Sequence, residues 1–356
     1  MKQPSRILIR ATNWVGDTIM SMPAVEQIRG FFPSAHIAVL ARPSVAGLYR
    51  QPLIDEVIAY TADPDWKDLR GRWHLAAALR ARRFDAAILL QNAFDAAFIA
   101  WLAGIPVRIG YSLNRRGLLL TDPIDVPSPA AIPQHQSYYY LELLHRAGML
   151  DALPEHPLIR LEGLSALRLA GQQRLSGRWI GVSPGSANGL AKRWLPDRFA
   201  ASAAMAAAEL DASVAVFGSA DESDVCDRVA GLVRGQGIEA TTFAGRTSIS
   251  EFLELASACI AFITNDSGSM HVAGALGVPT VAVFGPTSPA ATGPTDPLTT
   301  VIREPVDCSP CLLHTCPIDH RCMTAVHAMP VAAELVRLVR LGRMNDEQEP
   351  DHPAAT

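Results

Sequence analysis

Thr264-Asn265-Asp266-Ser267-Gly268-Ser269-Met270-His271-Val272-Ala273-Gly274-Ala275-Leu276-Gly277-Val278-Pro279-Thr280-Val281-Ala282-Val283-Phe284-Gly285 reads as the end of a strand, a Gly/Ser turn, a short helix and a second strand. Such a turn places Asp266, Ser267, Gly268 and His271 at the mouth of an α/β crevice, where open parallel sheets bind their ligands. Backbone N–H groups at a helix start favour phosphate, and small residues permit close approach. The stretch points to a phosphorylated or nucleotide-linked substrate.

The same rhythm extends in both directions. In the first half, strands are predicted over 6–11, 36–41, 54–60, 85–90 and 107–111. Helices are predicted from about 13 to 31 and over 66–82, 93–103 and 136–147. Pro23 falls early in the first of these, so its regular part is expected to begin near Ser21. The pattern loosens over 150–177, where a helical stretch over 164–175 follows Pro154 and Pro157. It then restarts with strands over 179–183, 213–217, 240–243, 260–263 and 280–284. The intervening helices are expected over 197–208, 222–234, 249–258 and 270–276, and a last helix over 330–341. Strands alternating with helices of this length predict mainly parallel sheets covered on both faces. The expected fold is α/β, with two Rossmann-like domains facing each other across a cleft. The domains are expected at 1–160 and 175–342, with a disordered tail over 343–356 that is rich in acidic residues and proline. The loop over 285–297 is expected to overhang the cleft or to be a plain surface turn.

The chain of 356 residues is 49% hydrophobic, enough for two cores, and its formal charge of −4 gives no support to bulk nucleic-acid binding. Apolar runs are short, so no membrane-spanning helix is expected. The run over 7–9 is strand-sized and stops at Arg10, unlike a signal-peptide core. These features predict a cytoplasmic protein and leave peripheral membrane contact open.

Several residues carry candidate chemistry. Asp17, beside Gly16 after the first strand, either caps the helix it opens or serves as a general base. Thr12, Asn13 and Trp14 border the same position, where Trp14 either shapes the pocket or packs. In the loop after the strand over 179–183, Ser183, Gly185, Ser186 and Ala187 offer hydroxyl and amide donors to a diphosphate. Lys192 would neutralise charge on that leaving group. The loop lacks the Gly-Lys-Ser/Thr ending of a Walker motif. Glu222 either accepts ribose hydroxyls or is a helix-start carboxylate. Asp266 is read as holding loop amides or substrate hydroxyls, and His271 as a phosphate donor or a structural hydrogen-bonder.

Cys226 and Cys259 sit in apolar patterns and are expected in the core. Cys308, Cys311, Cys316 and Cys322 have the spacing C-x2-C-x4-C-x5-C, with His314 and His320 among them. That spacing leaves a structural zinc site open, although the pairs are closer than in a zinc ribbon. The alternative is reduced or occasionally paired thiols in a loop beside the cleft.

The Asn13-to-Asp17 stretch, the segment from Pro184-Gly185 to Trp194-Leu195-Pro196, the Asn265-to-Ala273 segment and the cysteine cluster together resemble glycosyltransferase family 9, the lipopolysaccharide heptosyltransferases. The likeness runs from Arg6 to about Leu341. It implies an inverting GT-B enzyme that needs no metal or other cofactor for catalysis. The first domain would bind a lipopolysaccharide inner-core precursor at the inner membrane, and the second would bind ADP-heptose. Heptose would pass to the first heptose of the acceptor. The tryptophan before Val15-Gly16-Asp17 and the cysteine cluster favour that second transfer. Carried over, Asp17 is the base and Lys192 meets the diphosphate. Glu222 meets the ribose, and Asp266, the amides of Ser267 and Gly268, and His271 meet the phosphates or the sugar. One departure stands out: Gln91-Asn92-Ala93-Phe94-Asp95 replaces the family's Pro-Asn-Ser-Phe-Lys/Arg-like stretch. Arg115 is expected to supply the missing charge beside Asn13 and Trp14. An earlier heptose transfer, a sugar-nucleotide epimerase and a non-catalytic nucleotide-sugar-binding protein are the alternatives.

Overall fold

The apolar runs form strands that parallel sheets bury on both faces. A computed structural model, which describes residues 4–61, 69–187 and 189–348, resolves them into two units that divide between Gly163 and Leu164. The first unit contains β1 (Arg6–Arg10), β2 (His36–Ala41), β3 (Glu56–Ala59), β4 (Ala86–Leu89), β5 (Val107–Tyr111) and β6 (Asp122–Ile124). The second contains β7 (Trp179–Ser183), β8 (Ser213–Val216), β9 (Ala240–Thr242), β10 (Ala261–Asn265), β11 (Thr280–Val283) and β12 (Thr299–Ile302). The sheet orders are β3-β2-β1-β4-β5-β6 and β12-β11-β10-β7-β8-β9, parallel throughout. Counted within its own unit, each sheet has the Rossmann order 3-2-1-4-5-6. Each therefore has a topological switch point, between β1 and β4 in one and between β7 and β10 in the other.

Burial explains the composition of the central strands. All five residues of β7 and all five of β10 are buried, as expected of strands with helices on both faces. Ile180, Val182, Ile263 and Val281 share a core with Phe199 of helix Pro196–Leu210 and Leu335 of helix Ala328–Gln348. Cys226 and Cys259 are buried free thiols, and burial pushes both up to about 12.

Several elements differ from the sequence expectation. The first predicted helix is two, Val15–Met20 and Met22–Phe31, parted at Ser21. Pro23 fits the first turn of the second, where its missing N–H has no helical acceptor. Strands β6 and β12 lie at sheet edges and were not anticipated; β6 even contains Pro123, which an edge tolerates. Helix Leu69–Ala81 begins after residues 62–68, so the predicted start at 66–68 lies outside the described residues. The last helix runs to Gln348, into the stretch expected to be a tail, while 349–356 lie outside the described residues. Helix Leu164–Arg174 belongs with the second unit. Its Gly171 touches helix Ile249–Ala258, where a Cβ would stand 2.0 Å from the Glu254 carbonyl oxygen. Arg174 pairs with Glu251 at 3.0 Å and Glu254 at 3.1 Å along that contact. Among the described residues no helix is long and apolar enough to cross a membrane.

Asn265, the last residue of β10, is fully buried. Its Nδ2 donates to the carbonyls of Pro184 at 2.9 Å and Gly185 at 3.1 Å, and its Oδ1 accepts the Trp194 amide at 2.9 Å. One side chain thus ties both ends of the 184–194 loop to the neighbouring strand. Trp194, 1% exposed, seals the loop's far end, its Nε1 donating to the Val326 carbonyl at 3.2 Å. Asn265→Ala would leave three buried backbone groups without partners, and we expect a loss of about 2–4 kcal/mol in unfolding free energy. Urea denaturation checks this; a loss under about 0.5 kcal/mol would place it among ordinary surface changes.

Candidate active site

At the first unit's switch point, the chain leaves β1 and turns into helix Val15–Met20. Thr12 and Thr18 hydroxyls meet at 2.8 Å across this turn. Trp14 is the N-cap residue and makes no side-chain cap bond. It is 61% exposed, so the packing alternative does not describe it. Asp17 lies in the first helical turn rather than at the cap position, where the aligned amides favour negative charge. The Tyr140 hydroxyl donates to Asp17 Oδ1 at 3.4 Å, joining helix Gln136–Arg146 to the site. Burial, and then the Asp17 charge, hold the Tyr140 phenol well above its ordinary value. Tyr140 therefore stays a neutral donor. Asn13 Oδ1 is buried without a hydrogen-bond partner among the described residues.

The loop after β4 supplies the other side of this switch point. Asp95 is paired with Arg72 of helix Leu69–Ala81, Nε to Oδ1 at 2.6 Å, and Arg72 is itself buried. Arg115 is exposed, in a left-handed conformation, while its neighbour Arg116 is the one that reaches the loop. Arg116 is buried; it donates to the Tyr111 carbonyl at 2.7 Å, to Asn92 Oδ1 at 3.0 Å and to the Gln91 carbonyl. Asn92 in turn donates to the Tyr139 hydroxyl at 2.7 Å. Sequence reading also missed the environment of Arg10. The last residue of β1 is 2% exposed and lies over the Tyr60 ring, 4.6 Å from its centroid. Nη1 donates to the carbonyls of Ala11 and Leu40, and burial pulls the guanidinium down to about 9. A strand end written Ile-Arg-Ala was the available signal.

The second unit gathers its candidates more tightly. Lys192 Nζ meets Asp266 Oδ2 at 2.7 Å, with Asp266 almost wholly buried. The same carboxylate accepts the Thr287 hydroxyl at 2.6 Å on Oδ2 and the Thr292 hydroxyl at 3.4 Å on Oδ1. Asp266 thus orients a cation and two hydroxyls, where sequence reading gave it loop amides or substrate hydroxyls. The 285–297 loop supplies both threonines, and a short helix, Pro289–Thr292, forms within it. Ser183, buried at the end of β7, donates to the Phe217 carbonyl at 3.3 Å and lies 2.8 Å from the Ser269 hydroxyl. Ser186 is also buried, and its carbonyl accepts from Arg193 at 3.3 Å; Ala187 is exposed, and Asn188 lies outside the described residues.

Ser267 is the N-cap residue of helix Gly268–Ala275, but its hydroxyl turns to that of Thr264 at 3.1 Å. The Ser267 side chain makes no cap bond, so the first-turn amides keep the character of an anion site. His271, one turn in, is 7% exposed. Glu222 does act at a helix start: Oε2 accepts the amide of Ser219 at 2.9 Å and its hydroxyl at 3.0 Å. Oε1 faces Arg193 at 3.9 Å, and the carboxyl lies against Gly185, where a Cβ would stand 2.2 Å from it. Cys308, Cys311 and Cys316 are free and at least partly exposed, Cys322 is free and buried. Burial, followed by the three other thiols, raises the Cys322 thiol. Among the described residues no three or more His, Cys, Asp or Glu side chains form a metal-holding group.

Comparison with known proteins fits this arrangement. A family model described as Glycosyltransferase family 9 (heptosyltransferase) matches residues 72–321. The chain is 33% identical over 311 residues to lipopolysaccharide heptosyltransferase 2 of Escherichia coli strain K12, covering 84% of this chain and 88% of the relative. It is 31% identical over 318 residues to lipooligosaccharide heptosyltransferase 2 of Haemophilus influenzae, covering 83% and 88%. The solved structure of E. coli ADP-heptose lps heptosyltransferase II superposes with a TM-score of 0.81 at 29% identity, covering 95% of this chain and 99% of that one. With its paired Rossmann-like units and the match over most of its length, the chain is a GT-B glycosyltransferase and belongs to glycosyltransferase family 9, the heptosyltransferases.

Proposed function

We propose that this enzyme transfers heptose from ADP-heptose, with inversion, to the first heptose of a lipopolysaccharide inner-core precursor. The observation that carries the reading is the Lys192–Asp266 pair at the second unit's switch point, beside a helix start whose N-cap Ser267 makes no side-chain cap bond. The two relatives described above bear the name heptosyltransferase 2, which favours the second transfer over the first. The epimerase and the non-catalytic binding protein fall away with membership of a glycosyltransferase family.

In this mechanism an acceptor hydroxyl attacks the anomeric carbon on the face opposite the diphosphate. The new C–O bond forms as the bond to phosphate breaks, and ADP leaves with the electron pair. Asp17 takes the hydroxyl proton. The Lys192 ammonium, held on one side by Asp266, presents its remaining N–H groups to the departing diphosphate. The first-turn amides of helix Gly268–Ala275 and the buried Ser183 and Ser186 line the same end of the sheet. Glu222 keeps one carboxyl oxygen at Ser219 and turns the other toward a ribose. A lipid-linked acceptor places the reaction on the cytoplasmic face of the inner membrane, with the protein bound peripherally. The four cysteines have no step in this chemistry.

The test is ADP release from ADP-heptose with and without a mono-heptosylated lipid A–Kdo acceptor. Release that requires the acceptor supports the reading; release indifferent to it overturns the reading. Asp17→Asn is expected to lower turnover about 10²–10⁴-fold while calorimetry finds ADP affinity unchanged. A variant with wild-type turnover would deny Asp17 the role of base. Lys192→Ala is expected to lower turnover about 10²–10³-fold, the usual cost of losing one donor to a developing anion. Steady-state kinetics with saturating donor measures this, and unchanged turnover would remove Lys192 from the transition state.

A further inference from the structure

The cysteine-rich segment remains without a task in this chemistry, yet it touches the site at two points. We propose that residues 308–322 form a strap that aims Lys192, with His320 as its positioning residue; this rests on the role given to Lys192 above. Lys192 belongs to a 3-10 turn, Leu190–Lys192, and Ala191 within it is 3% exposed. Both backbone polar groups of Ala191 are taken by the strap. Its amide donates to the His314 carbonyl at 2.9 Å, and its carbonyl accepts from His320 Nε2 at 2.7 Å. A carbonyl can only accept, so this contact fixes the proton on Nε2. This histidine, which lies among the four cysteines, spends that nitrogen on the backbone.

The other end of the strap grips the opposite partner of the ion pair. Ser309 Oγ donates to the Gly285 carbonyl at 2.6 Å, and the Leu312 amide donates to the Pro286 carbonyl at 2.9 Å. The next residue, Thr287, donates its hydroxyl to Asp266. The strap thus fixes the backbone on both sides of the Lys192–Asp266 pair. It is anchored by Cys322 and Met323, both buried, and by the Met323 amide, which donates to the His320 carbonyl at 2.9 Å. His320 itself sits at φ +58°, a left-handed conformation that glycine adopts at lower cost.

A lysine side chain is long and flexible, so its ammonium is only as well placed as the turn that carries it. Losing the His320 bond orphans a buried carbonyl and frees that turn, and a misplacement of about 1 Å can cost up to about 10²-fold in rate. The experiment compares wild type, His320→Gly, His320→Gln, Lys192→Ala and the Lys192→Ala/His320→Gly double variant. Glycine removes the donor while relaxing the left-handed backbone, so the fold is not what fails. Glutamine restores an N–H of similar reach.

We expect His320→Gly to lower acceptor-dependent turnover and ADP affinity about 10-fold, and His320→Gln to return both to within about 3-fold of wild type. The double variant should be no worse than Lys192→Ala, because His320 acts through the lysine. Wild-type behaviour of His320→Gly, no rescue by glutamine, or multiplied losses in the double variant would each overturn the strap. Should the wild type bind ADP without acceptor-dependent turnover, the proposed function falls and the ADP affinity series alone judges the strap. A wild type that binds no ADP overturns both.

Discussion

One carboxamide holds the 184–194 loop of the second unit in register. Asn265 closes β10 with no exposed surface, yet both of its polar atoms are used on a different segment of chain. A buried amide without partners would be costly, and here three backbone groups meet it. Because those groups sit at both ends of the 184–194 loop, Lys192 has little freedom to leave the sheet edge. Asp266 is the next residue along, so the residue that pins the loop also sets the position of the carboxylate that receives the lysine. An aspartate at 265 could not donate to the two carbonyls, and an apolar residue could meet none of the three groups.

The two units reach the same solution independently. Each leaves a central strand, β1 or β7, at the point where the strand order reverses, and each puts a candidate residue, Asp17 or Lys192, in the segment that follows. In the first unit the segment enters a helix within a few residues and carries Asp17 on the first turn. In the second it runs as a long loop, which needs the outside support that Asn265 and the strap supply. A short path into a helix fixes a side chain by local geometry; a long loop has to be fixed by contacts from elsewhere.

The division between what could be read and what could not follows that difference. Alternation of strands and helices was legible because parallel strands buried on both faces are unbroken apolar runs, as in β7 and β10. The chemical residue types at strand ends were legible too, since Gly, Ser and Asp cluster there. Edge strands were not: β12 is Thr-Thr-Val-Ile with every residue half-buried, so no face of it stands out. Partnerships across long sequence distances were also invisible. Nothing in Asp266 announces Thr287 and Thr292, and nothing separates Arg115 from Arg116 except that one side chain points inward. The family resemblance supplied roles, whereas the contacts that enforce them became visible only in the fold.

The pairing of Lys192 with a buried carboxylate has a bearing on how a catalytic cycle ends. A lone ammonium facing a diphosphate would grip substrate and product alike, and uniform grip deepens the wells without lowering the barrier. Asp266 pairs with that charge in advance, so in the proposed reaction the lysine would meet the bound donor as one half of an ion pair. On the proposed mechanism the attraction grows as negative charge gathers on the departing oxygen, where it lowers the barrier. Partial neutralisation of the cation by Asp266 would thus moderate how tightly the departing ADP is held at the end of the proposed cycle.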